Sequence, residues 1–474
     1  MRDHPQGVIV LVLDSLRADH VAADRTPFLV ELSARSTVFE RAIAPAAWTL
    51  PSHASMLTGL SPTEHLIRST GGIRESLLAA RRGVDALVEA DRFLPVWLEA
   101  RGVRTFLGSS IGWLSPASGL STGFDTVDFV PFPPGRRNQS RPPAAQPQVP
   151  APAPRALQRI VPVPVKHVVR TGLELVREGR RALPMAKWVM SGEDKGAARL
   201  EAGLAAWLSN IDGSPFFAMV NLIETHDPHI APKGFGRRDW RSVKATVGVK
   251  RFTRRTNMHN WGYSQLPGSE IQRLKDAYRA QASYADRCVQ RIVGQLELLG
   301  LLESVTVIVT ADHGEGFGEH GLLGHGIPLT ESVLHVPLIV FTSSRTAGRV
   351  SEPVSLSAIA SSVAVELVGE PGPFGLPTLV HEEGRGNARS EVEAPGRYFH
   401  SSGFKLKEAP AEMDRPAAAF YSGALKLIVG SFWGEALYDL DSDPTETRNL
   451  IGEREIPAAL AEARTLWERR TGLA

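Results

Sequence analysis

The sequence predicts an α/β protein built on a large, mainly parallel sheet flanked by helices. Three observations predict it. Unbroken aliphatic and β-branched runs recur along the chain, helical patterns lie between them, and the composition is that of an ordinary globular protein. The first run, Val8-Ile9-Val10-Leu11-Val12-Leu13, has no polar alternation, so it reads as a strand buried on both faces. The runs at 215–221, 305–310 and 336–341 repeat the pattern. Between them, 25–35, 93–100, 197–208 and 271–299 carry helical spacing. The chain has 474 residues, 43% hydrophobic and 22% charged, which excludes one small domain and excludes a disordered or collagen-like chain.

The rest of the organisation follows from punctuation and charge. Residues 131–164 hold 11 prolines and read as a linker or extended arm. Toward the end, 424–429 and 436–440 read as short meander strands, followed by a helix near 457–470. The expected division is therefore an α/β catalytic domain over 1–370, carrying a Pro-rich basic insertion at 131–190, and a smaller α+β subdomain over 371–474. Net charge is only +2, but 135–190 carries +9 and 236–268 carries +7, leaving −14 elsewhere. Segment 236–268 interleaves Trp240, Phe252, Trp261 and Tyr263 with basic residues. It reads as a rim that attracts an anionic substrate or, equally, as a plain solvated surface, and nucleic acid is the weaker reading. Segment 155–189 is read as a peripheral membrane contact, a lid or a homo-oligomer contact. The chain has one cysteine, so an intramolecular disulfide and a Cys-based zinc site are excluded. No apolar run is long enough to span a membrane, and the first residues lack the order of a signal peptide. The expectation is a cytoplasmic enzyme.

Four stretches carry chemistry. Asp14 directly follows the first buried strand, where ligands of open α/β sheets bind; a carboxylate there holds a metal or caps the next segment. Asp312 and His313 follow the 305–310 run in the same way. Asp beside His suits a divalent ion of intermediate hardness, with Mn²⁺ or Zn²⁺ favoured and Mg²⁺ or Ca²⁺ as alternatives. Three histidines and three acids fall between 312 and 325. In Trp48-Thr49-Leu50-Pro51-Ser52-His53, Pro51 suits a first helical turn and Gly59 its end, so Thr49 sits near a helix N-terminus that favours an anion or serves as its cap. His226 and His229, after the 215–221 strand, are suited to protonating a leaving group or holding substrate oxygens, or are ordinary surface histidines.

Taken together, these stretches resemble the sulfatase branch of the alkaline phosphatase superfamily. The matching segments are VLDSLRADH at 12–20, TPFLVELSARSTVFERAIAPAAWTLPSHASMLTGLSPTEH at 26–65, PFFAMVNLIETHDPH at 215–229, VIVTADHGEGFGEHGLLGHG at 307–326 and LIVGSFWGEALYDLDSDPTETRNLI at 427–451. The resemblance implies a large α/β sandwich with a smaller C-terminal sheet domain. It implies that Asp14, Asp312 and His313 bind one divalent metal and that Thr49 is the nucleophile, also touching the metal. His226 and His325 fall at substrate-contacting or leaving-group positions, and Arg17, His53 and His229 are further substrate-binding candidates. A second metal held by Glu224, His226 and His325 is the less favoured arrangement.

The departures bear on the reaction. Formylglycine-dependent sulfatases need Cys or Ser at the nucleophile position followed by x-Pro-x-Arg. Here the nucleophile position holds Thr49 and the Arg place holds His53. Threonine cannot give the aldehyde, so no formylglycine is expected. Threonine nucleophiles occur in related phosphodiesterases and phosphoryl transferases, where the alkoxide attacks phosphorus and gives a phospho-threonine. The expected activity is hydrolysis of a small anionic phosphate mono- or diester or phosphonate ester. The alternatives are sulfate-ester hydrolysis without formylglycine and phosphoryl transfer to an alcohol.

Overall fold

The structure is a computed structural model that describes residues 5–68, 73–132, 184–236 (except 186), 256, 258–260, 264–375, 378–379, 386–392, 416–431 and 434–472. Most of the 131–190 insertion and of the 236–268 segment lies outside the described residues. So do the nucleic-acid, membrane and oligomer contacts expected of those segments.

The main sheet has eight strands: β1 (Gly7–Leu13), β2 (Thr37–Phe39), β3 (Arg104–Ser109), β4 (Thr126–Phe129), β5 (Phe216–Leu222), β6 (Val305–Thr310), β7 (Leu338–Phe341) and β8 (Gly348–Val350). Their spatial order is β8-β2-β7-β6-β1-β5-β3-β4. β1 lies at the centre, parallel to β5 and β6, with Val12 opposite both Asn221 and Thr310. β1, β5 and β6 are buried along their whole length, as their unbroken apolar runs require. The six fully buried aliphatic side chains of β1 contribute on the order of 10 kcal/mol before chain entropy is set against them.

One expectation needs correcting. The 336–341 run is not a further parallel strand. Its last four residues, β7, run antiparallel to both β6 and β2. No crossover helix long enough to reverse the chain separates β6 from β7, so the chain returns alongside β6 in the opposite sense.

Six helices matter for the site: α1 (Pro27–Ala34), α2 (Thr49–Thr58), α3 (Leu94–Glu99), α4 (Ala197–Leu208), α5 (Gly268–Leu298) and α6 (Ala358–Val368). α1, α4 and α5 pack together, and α2, α3 and α6 form a second group. α5 buries Tyr278, Ala282, Ala285, Cys288, Val289 and Ile292 along one stripe, the spacing that marked it in the sequence.

After α6 the chain builds a separate antiparallel sheet, β9 (Asn387–Val392), β10 (Ala417–Ser422), β11 (Leu425–Ser431) and β12 (Gly434–Asp439), backed by α7 (Ala458–Thr471). A buried ion triad ties it to the rest. The Lys426 ammonium reaches Glu331 at 2.8 Å and Glu446 at 2.6 Å. No helix among the described residues is long and apolar enough to cross a membrane.

Candidate active site

Parallel strands deliver their next residues to one edge of the sheet. β1 ends at Leu13, opposite Leu222 of β5, and β6 ends level with Val12. Asp14, the 223–229 turn and Asp312-His313 therefore emerge side by side. Asp14, Asp312 and His313 are each fully buried, and a ligand atom from each lies within 4.8 Å of the others. Among the described residues they form the one such group of metal-ligating side chains.

Local bonds fix this group. The Ser15 N–H and the His313 N–H both donate to Asp312 Oδ1, at 3.1 and 3.0 Å. Ser15 adopts a left-handed φ of 68°, which turns its amide toward that carboxylate. His313 donates from Nδ1 to the Gly314 carbonyl at 2.8 Å, so its Nε2 lone pair is turned toward Asp14 and Asp312. Burial, aided by the neighbouring His325, pushes the His313 pKa down to about 3, so the ring is neutral and able to ligate. Asp312 Oδ2 is buried without a hydrogen-bond partner. An orphaned carboxylate oxygen beside a second carboxylate and an imidazole lone pair fits a divalent cation.

Thr49 stands over this group. Trp48, in extended conformation, precedes α2, and Thr49 is its first residue. Every residue of α2 is buried, and its start is anchored where Ser52 donates to the Asp312 carbonyl at 2.6 Å. Thr49 Oγ1 lies 3.3 Å from His313 Nε2. His53 donates from Nδ1 to the Thr49 carbonyl at 3.0 Å, which leaves Nε2 to accept from Asn221 at 3.3 Å. Asn221 also donates to Asp14 Oδ2 at 3.3 Å.

Two histidines continue outward from the metal-ligand cluster. The His325 ring lies 4.4 Å from that of His313 and 5.0 Å from that of His226. His325 Nδ1 pairs with the buried Glu315 at 3.1 Å. Burial works against the cation, but Glu315 outweighs it and holds the His325 pKa above its ordinary value. His226 Nδ1 faces the Asp227 carboxylate at 2.8 Å, so Nε2 points away from it. Here too burial disfavours the charge, and Asp227 and Asp14 overcome it, raising the His226 pKa to about 10.

The other expected residues sit differently. His229 is held at Nδ1 by Gln281 at 2.9 Å, and its Nε2 lies 3.8 Å from Glu315. The Glu224 carboxylate accepts from the Lys195 and Ala197 amides, at 2.9 and 3.3 Å, and does not gather with His226 and His325 as a second metal-type group. The Arg17 guanidinium is bound between Asp19 at 2.7 Å and Glu319 at 2.8 Å, and also donates to the Glu315 carbonyl. Sequence reasoning gave no role to Asn221, Glu315 or Lys195. Asn221 had a signal: it is a lone polar residue at the carboxyl end of a doubly buried strand.

A buried two-carboxylate and imidazole cluster lies beneath a helix-borne hydroxyl at the carboxyl edge of this sheet. The chain belongs to the sulfatase family, a branch of the alkaline phosphatase superfamily, whose model matches residues 6–366. The chain is 25% identical over 246 residues to the uncharacterized sulfatase YidJ of Escherichia coli (strain K12), covering 50% of this chain and 47% of that protein. It is 29% identical over 106 residues to the multifunctional alkaline phosphatase superfamily protein PehA of Trinickia caryophylli, covering 22% and 20%. The chain thus spans about half or less of the length of these curated relatives. Among solved structures, the phosphonate monoester hydrolase of Agrobacterium radiobacter superposes with a TM-score of 0.62 at 19% identity, covering 98% of this chain and 94% of that one.

Proposed function

We propose that the protein hydrolyses small anionic phosphate mono- or diesters or phosphonate esters through Thr49, in preference to sulfate esters. The observation that carries this reading is the position of the Thr49 hydroxyl, 2% exposed and 3.3 Å from the ligating nitrogen of His313. A threonine there cannot be converted to the aldehyde on which formylglycine sulfatases depend, yet its oxygen is suited to attack phosphorus. The names of PehA and the phosphonate monoester hydrolase agree with phosphorus chemistry; the family match favours a sulfate ester as the second reading.

Asp14, Asp312, His313 and Thr49 would hold one divalent ion, with Mn²⁺ or Zn²⁺ favoured. When bound, such an ion supplies positive charge that lowers the proton affinity of the Thr49 hydroxyl and neutralises the ester's oxygens. Thr49 Oγ1, its proton lost to solvent, bonds to phosphorus as the bond to the leaving oxygen breaks, and His226 Nε2 gives that oxygen its proton. His226, now neutral, takes a proton from the water that attacks the phospho-threonine, and Thr49 is released. His325, whose cationic form Glu315 favours, holds an ester oxygen, and His53 and His229 shape the site's inner wall. In this reading the catalytic unit spans 1–370, and the enzyme works in the cytoplasm.

The test is a panel of aryl phosphate, aryl phosphodiester, phosphonate monoester and aryl sulfate with Mn²⁺, Zn²⁺, Mg²⁺ and Ca²⁺. Turnover of a phosphorus ester should exceed that of the sulfate. Thr49→Ala should lose at least about 10³-fold in kcat with an unchanged melting temperature. Mass spectrometry of the quenched wild-type reaction should find phosphate on Thr49. Sulfate turnover alone, or full activity of Thr49→Ala, overturns the proposal.

A further inference from the structure

The 223–229 turn that carries His226 and His229 lies outside the sheet ladder, so its buried carbonyls need donors from elsewhere. Lys195 supplies them. Its side chain is 2% exposed, at the start of α4, and its ammonium donates to the carbonyls of Ile223 and Glu224, each at 3.3 Å, and closely to that of His226. The Lys195 amide binds the Glu224 carboxylate at 2.9 Å, closing a loop of contacts around the turn. On the opposite side Gln281 of α5 donates to the Pro228 carbonyl at 3.2 Å.

A buried ammonium is costly, and a neutral donor would satisfy one or two carbonyls without that cost. An ammonium offers three donors from a single point. Three carbonyl dipoles from one tight turn repel each other unless a cation sits at their convergence. Burial lowers the Lys195 pKa to about 8, and Glu224, followed by Asp227, Asp14 and Glu315, opposes that fall. The one histidine whose own carbonyl Lys195 binds is His226.

We infer that Lys195 is a positioning residue for the reaction: by gathering the carbonyls of Ile223, Glu224 and His226 it fixes the turn so that His226 Nε2 meets the leaving oxygen. This rests on the reading of His226 as the leaving-group acid. The consequence is specific, because loss of a positioned acid slows poor leaving groups much more than good ones.

The test uses the full chain with Mn²⁺ and two aryl phosphodiesters, one with a 4-nitrophenyl and one with a phenyl leaving group. His226→Ala should lose about 100-fold in kcat on the phenyl ester and only a few-fold on the 4-nitrophenyl ester. Lys195→Met should reproduce that asymmetry, at about 10- to 100-fold against a few-fold, with KM within about twofold of the wild type. Lys195→Gln keeps donors at the turn and disturbs packing less. It should show the same asymmetry, about 3- to 10-fold, and decides the matter if the Met variant does not fold. Equal losses on both esters in the Lys195 variants, with His226→Ala asymmetric, overturn the inference and leave the acid reading standing. A symmetric loss in His226→Ala overturns both.

Discussion

Asp312 shows how much of the site is set by a single side chain. One carboxylate oxygen collects two backbone amides, and the other is buried without a hydrogen-bond partner. A cation that fills this position binds the folded protein and not the unfolded chain, so it stabilises by mass action. Mn²⁺ at about 100 times its dissociation constant should add about 2.7 kcal/mol, read as a rise in melting temperature. Asp312→Asn should abolish most of that rise, and an unchanged metal-dependent shift would remove Asp312 from the ligand set. Asp312, His313 and Asp14 were legible in the sequence because each stands within three residues of the end of an unbroken apolar run, where a parallel sheet delivers its ligands. Lys195 was not. It lies between the basic insertion and α4, two residues before that helix begins, and only the folding of the 223–229 turn against it gives it three carbonyls to bind.

At the scale of elements, α2 was the most readable. Pro51 in its first turn and Gly59 at its end bracket it, and both ends fall where those residues predict. Gly59 has a φ of 71°, and a Cβ there would meet the Phe374 carbonyl oxygen at 2.2 Å. Gly59→Ala should therefore destabilise the fold by more than about 1 kcal/mol, measured by urea unfolding. Because α2 carries Thr49 at its other end, activity should fall with it. A variant as stable as the wild type would mean that the loop at Phe374 yields freely. Part of the small C-terminal sheet was harder to read. β10 is Ala-Ala-Ala-Phe-Tyr-Ser, which lacks the β-branched residues that marked β1 and β6. The direction of β7 was illegible for a different reason: strand sense is set by the connection, and the loop before it is given over to the site.

Across the whole molecule, the two sheets are joined by charges as well as by apolar contact. Glu64, beside α2, takes Arg470 of α7 at 2.7 Å and Arg389 of β9 at 3.4 Å. Burial raises its pKa, but the Ser61 hydrogen bonds and the two arginines outweigh burial and bring it down to about 2. A depressed carboxylate pKa stabilises the fold above its unfolded value near 4.5 and ceases to do so as pH falls through about 2. The stability difference between wild type and Glu64→Gln should be present at pH 7, at about 1 kcal/mol or less for exposed partners. It should shrink steadily below about pH 4.5. A difference that grows on acidification would show the pairing to be unfavourable. The central strand carries one more consequence, and it concerns time. β1 pairs through Val12 with Asn221 on one side and Thr310 on the other. Synthesised before β5 and β6, this wholly apolar strand waits for both neighbours until residue 310 has left the ribosome. Such long-range pairing folds slowly and leaves a sticky edge uncovered meanwhile. A nascent chain halted before residue 305 exposes β1 along one side. It should be a chaperone client, and it holds Asp14 without the two residues that give Asp14 its chemistry.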